Sequence, residues 1–134
     1  MRIALGAVAG IVVAFLCVFA VEMVGHGLYP PPPGLDINNP ADQARLMEAM
    51  PVAAKAMVLA AWFLGALAGA WVANRIAQRS VAGWLVALLV VAAGIATMVL
   101  LPHPGWLWVG GILLPLLAAW IADRASRRSP ASDG

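Results

Sequence analysis

Along this chain, apolar residues do not alternate with polar ones but gather in long runs separated by short polar connections. The first run covers residues 3–24, with Glu22 near its far end as its only ionisable side chain, and others follow at about 52–76, 81–101 and 106–122. Crossing a hydrocarbon core of about 30 Å takes roughly 20 apolar residues in a helix, so each run predicts a membrane span. The fourth is short but flanked by tryptophans. In lipid the backbone polar groups have no water to bond to, and a helix satisfies them internally. The pattern predicts an all-α fold: a polytopic membrane four-helix bundle forming one domain over residues 1–124, then a disordered cytoplasmic tail at 125–134.

The connections set the topology. Residues 74–80 are too few to do anything but turn spans two and three into an antiparallel hairpin, and Pro102-His103-Pro104-Gly105 does the same for spans three and four. The outer loop at 25–51 is longer. Pro30-Pro31-Pro32-Pro33-Gly34 favours a stiff polyproline II strut. Beyond it, Asn39 is an N-cap candidate, Pro40 suits the first helical position, Asp42 falls in the first turn and Pro51 is a stop. Leu46, Met47 and Met50 give this short extra helix an apolar side, which places it on the outer membrane surface or over the end of the bundle. Recognition of Pro30 to Pro33 by an SH3-like partner is the alternative, disfavoured because the segment is short and tethered at both ends.

Composition agrees: 63% of the residues are hydrophobic and 10% charged, where soluble domains carry about a quarter charged residues. The net charge of +2 comes from arginines beside the spans, not from a basic stripe with interleaved aromatics, so nucleic acid is not an expected partner. Arg2, Arg75, Arg79, Arg124, Arg127 and Arg128 fall on one side of the alternating spans, with Arg45 and Lys55 on the other. By the positive-inside rule both termini are cytoplasmic. Such a bias also argues against a dual-topology dimer. A cleaved signal peptide ending at Val18-Phe19-Ala20 is the alternative for the first run, which exceeds the roughly 7–15 residues of a signal core. Cys17, the lone cysteine, offers no disulfide or thiolate metal motif and reads as a packing residue.

Small residues mark packing faces. Gly6-x-x-x-Gly10 in span one and Gly65-x-x-x-Gly69 in span two, with Ala61 a turn earlier, let backbones approach closely. Gly83, Ala87 and Gly94 form a similar stripe in span three, as do Gly111, Pro115, Ala118 and Ala122 in span four. Ordinary packing within the bundle is the simplest reading, and dimerisation through one of these motifs is left open. At 100° per residue, Glu22 and His26 share a face roughly opposite Gly6 and Gly10, which would give span one protein on two sides. Trp62, Trp71, Trp84, Trp106, Trp108 and Trp120 read mostly as interface anchors.

At Gly25-His26-Gly27-Leu28-Tyr29-Pro30-Pro31-Pro32-Pro33-Gly34-Leu35-Asp36, and again at Leu101-Pro102-His103-Pro104-Gly105-Trp106, the chain resembles a group of small uncharacterised bacterial membrane proteins. The resemblance runs along the four spans. It implies a bacterial four-span protein, for which the inner membrane is the expected location, and brings no activity, substrate or catalytic residue with it.

Glu22, His26, Lys55 and His103 converge in depth near the outer boundary. Ionisable groups are expensive in lipid and by default functional, but near a boundary they snorkel or pair, and a structural network with Lys55 as the charge partner of Glu22 is favoured. A proton-titrating site is one alternative. A divalent metal held by Glu22, His26 and His103 is another. No His-Glu-x-x-His motif is present, and Ser80, Ser126, Ser129 and Ser132 lie on the cytoplasmic side away from both histidines, so no enzyme and no cofactor are expected. The leading expectation is a scaffold or accessory protein acting through helix packing. Its partners would be the lipid bilayer and either further copies of the chain or a larger membrane complex. The rival is a small proton- or divalent-metal-linked transporter or channel using the outer Glu/His/Lys cluster.

Overall fold

The computed structural model describes residues 1–127. Among them are five helices and no strand: α1 (Arg2–Leu28), α2 (Pro40–Ala49), α3 (Val52–Ala77), α4 (Ser80–Leu100) and α5 (Gly105–Arg127). Helices α1, α3, α4 and α5 are long and apolar enough to cross a membrane. Residues 125–127 of the expected tail are helical and continue α5; the rest of it, with Arg128, Ser129 and Ser132, lies outside the described residues.

Each helix stops for a local reason. α1 runs one turn past the expected span because nothing breaks it before Pro30, and Tyr29, which precedes that proline, leaves helical geometry at φ −129° and ψ 72°. That extra turn keeps Glu22 and His26 on one rigid element. α2 starts as its residues dictate: the Asn39 side chain accepts from the Ala41 amide at 3.1 Å and Pro40 takes the first helical position. α3 ends at Gln78, a left-handed residue with φ 56° whose amide donates to Asn74 O at 2.8 Å. α5 carries Pro115 within it and remains one helix.

α3 is the central element, in contact with α1, α4 and α5, while α4 also touches α1 and α5. Small residues make this closeness. A Cβ added at Gly10 would stand 2.5 Å from Gly69 O, and one added at Gly69 would stand 2.5 Å from Gly10 O. Gly6 lies against Ala73 and Ala77, and Gly65 against Ala14 and Val18, so the two helices run antiparallel in a fixed register. Lipid supplies no hydrophobic drive between helices; dispersion and short backbone contacts along such seams take its place.

The inward row on α1 is an i, i+4 ridge: Gly6, Gly10, Ala14, Val18 and then Glu22. Angular counting on a straight helix sets Glu22 roughly opposite Gly6, but packed helices cross at an angle and the contact follows the ridge as it winds. α1 is therefore peripheral, with Leu5, Val8, Val12, Phe15 and Phe19 exposed on its outer side. Within one chain, span one has protein on one side only.

Trp62 is an exception among the tryptophans expected mostly at the interface. It sits ten residues into α3, buried, with its ring over Gly94 of α4 and Gly111 of α5. These glycines vacate the space the indole fills. Trp71 and Trp120 do lie exposed near helix ends, with Arg75 and Arg124 over their rings at 5.5 Å and 4.3 Å.

Candidate functional site

Where the Gly6 to Val18 ridge gives way to Glu22, the packing opens into a cavity of about 210 Å³ at the end of the molecule that carries α2. Its wall draws on every part of the fold. α1 contributes Glu22, Gly25 and His26, with Tyr29 just beyond; α3 contributes Lys55, Val58 and Trp62; α4 gives Thr97; and the following turn and α5 give Leu101, His103 and Leu107. Ile37, Met47 and Met50 close it from the side of α2. No Cα of α2 comes within 8 Å of a long helix, so α2 itself reaches the site through the Met47 side chain, with Ile37 and Met50 on either flank. Long flexible thioethers suit that task.

The four side chains singled out by depth all line this one cavity. They do not, however, pair as expected. Glu22 and Lys55 are each half-buried and form no ion pair, whereas Arg127 Nε and Asp123 Oδ1 meet at 3.0 Å near the other end of the molecule. The opposite charges stand on α1 and α3, which stay adjacent beside the cavity at Gly25 and Met57. The expected charge partnership is not formed: both residues line the same cavity, with His26 the charged neighbour of Glu22.

Both imidazoles are anchored to their own backbone. His26 Nδ1 lies 2.8 Å from Glu22 O, and His103 Nδ1 lies 2.7 Å from Leu101 O. A carbonyl can only accept, so in each neutral ring the proton sits on Nδ1 and Nε2 is left as an acceptor. As to metal, no group of three or more His, Cys, Asp or Glu is arranged to hold an ion among the described residues. Glu22, His26 and His103 share the cavity without forming such a set.

Inward from Trp62 the described residues pack closely. Ala61, Ala66, Ala70, Ala73, Val86 and Ala87 are all fully buried. Asn74 is the one buried polar side chain among the described residues; its Oδ1 accepts from the Gly83 amide at 2.8 Å, and its Nδ2 has no partner there. It ties the first turn of α4 to α3 from a neighbouring helix. Its role is visible only once the hairpin brings Gly83 beside it. Ser126 bonds Asp123 O at 2.9 Å, far from either histidine in the chain.

Compared with family models, curated proteins and solved structures, the chain matches none. What the fold defines is a class: an all-helical chain with four helices of membrane-crossing length and apolarity, the build of a multi-pass membrane protein.

Proposed function

We propose that this is a scaffold or accessory protein of the bacterial inner membrane that neither conducts nor catalyses. In this reading the four spans pack as a bundle with both termini cytoplasmic, and α2 lies at the outer membrane surface. The observation that carries it is the filled centre beneath Trp62, which supports a blind outer pocket over a continuous path. The orientation draws support from the Trp71/Arg75 and Trp120/Arg124 stacks and from Arg2, which donates to Gln78 Oε1 at 3.2 Å. The kinship suggested by the proline-rich and Pro-His-Pro segments belongs to the same proposal.

Because Gly6, Gly10, Gly65 and Gly69 are all engaged inside the chain, association with further copies or a larger complex would use large side chains such as Leu5, Val12 and Phe19. The rival, a proton- or metal-linked transporter, is favoured by one observation: Glu22, His26, Lys55 and His103 share a single cavity. Reconstitution separates the two. Liposomes holding the purified protein and internal dyes for pH and divalent cations are expected to show the leak of empty liposomes. Saturable flux of either kind that is lost in Glu22→Gln would overturn the accessory reading.

A further inference from the structure

We propose that the outer cavity binds a small zwitterion with an apolar body, taking its acid group at Lys55, its ammonium at Glu22 and its apolar part against Trp62 and Leu107. Opposite charges on α1 and α3 line one space yet do not touch. Unpaired charges at this depth are costly, and a ligand bearing a single charge would satisfy one and leave the other. A zwitterion answers both. The histidines bias the same way, since with Nδ1 committed to the backbone each Nε2 accepts, which suits an ammonium donor. Depth sorts the rest of the ligand: Lys55 and Trp62 are two turns apart on α3, about 10 Å by helix rise, so the site is polar at its mouth and apolar at its floor.

Size narrows the class. A cavity of about 150 Å³ takes benzene, and scaling to the 210 Å³ here gives room for roughly eight non-hydrogen atoms. An apolar α-amino acid is of that size and carries its apolar part with it; the phosphoethanolamine group of a membrane lipid is of that size too, with only its two methylenes to set against Trp62 and Leu107. They share the recognised chemistry, a primary ammonium a few bonds from an acid group.

The test uses the full chain in a maltoside detergent, which carries no charged head, with L-leucine and dihexanoyl phosphatidylethanolamine as probes. The single-charge analogues 3-methylbutylamine and 4-methylpentanoic acid are the controls. Thermal unfolding midpoint and tryptophan emission are followed together, with Trp62→Phe to assign the emission change. At least one zwitterion is expected to raise the midpoint and perturb Trp62, with both controls at least tenfold weaker. Glu22→Gln and Lys55→Met should each weaken binding at least tenfold, and Lys55→Arg should retain it. Binding of leucine identifies a free zwitterion as the source, and binding of the lipid alone identifies a headgroup. Absence of binding by both, equal binding of a single-charge control to the wild-type protein, or binding that survives loss of either charge overturns the proposal. The idea rests on the pocket being the working end of the accessory protein, but the two fail separately. Flux with intact zwitterion binding removes only the accessory reading, and loss of binding without flux removes only this one.

Discussion

Adding a single methyl group at Gly10 and at Gly27 should move stability in opposite directions, although both glycines lie in α1. At Gly10 the new Cβ would stand 2.5 Å from Gly69 O, 2.7 Å from Ala73 Cβ and 2.9 Å from Val86 Cγ2, where real Cβ contacts stay beyond 3.0 Å. Relief requires α1 and α3 to separate by roughly half an ångström along a seam with backbone on one side and α4 on the other. Overpacking of this kind costs about 1–3 kcal/mol, and the upper part of that range applies because backbone cannot rotate away as a side chain does. Helix propensity returns up to about 1 kcal/mol for Gly→Ala, leaving a net loss near 1–2 kcal/mol for Gly10→Ala. At Gly27 an added Cβ meets nothing within 4 Å, so Gly27→Ala keeps only the propensity gain, up to about 1 kcal/mol and less this close to the helix end. Unfolding by increasing dodecyl sulfate in mixed micelles, read by circular dichroism, resolves a difference of that size. Equal stability of the two variants would mean that the Gly6/Gly10 seam is not a contact, and the packing argument would fall with it.

Gln78 holds a left-handed conformation without being glycine, so Gln78→Gly should raise stability by about 0.5–1 kcal/mol and Gln78→Val should lower it; the same titration reads both, and a loss in the glycine variant contradicts the strain. Asn74→Leu should lower stability by about 1 kcal/mol, because the Gly83 amide loses an acceptor supplied by another helix. Thr97→Val is its control: that hydroxyl bonds only Ala93 O within α4, so a change under about 0.5 kcal/mol is expected, and equal losses from the two would contradict a tying role for Asn74.

The spans were legible because a run of twenty apolar residues has few solutions in lipid, and the α1 to α3 seam because glycine at four-residue spacing has few uses but close approach. The shared depth of Glu22, His26, Lys55 and His103 was readable from their distance to the ends of the apolar runs. Three features were not. Winding of the contact ridge along α1 depends on a crossing angle that no single helix encodes, so Glu22 looked remote from the packed face. The place of Trp62 could not be read because its receptacle is built by Gly94 and Gly111 on two other helices. The missing Glu22–Lys55 pair depends on how the side chains of α1 and α3 pack beyond Val18, where Gly25 still stands beside Met57, and not on sequence spacing.

The central claim is a pocket reached from outside and blind beneath Trp62. It is tested most directly by cysteine accessibility in intact cells, using a membrane-impermeant thiol reagent on single-cysteine variants in a Cys17→Ser background. His26→Cys and His103→Cys should label from outside, while Ser80→Cys should label only after the cells are opened. Ala66→Cys, fully buried below Trp62, should label in neither condition. Outside labelling at Ser80→Cys would reverse the topology, and labelling at Ala66→Cys would show a path through the centre and contradict the account.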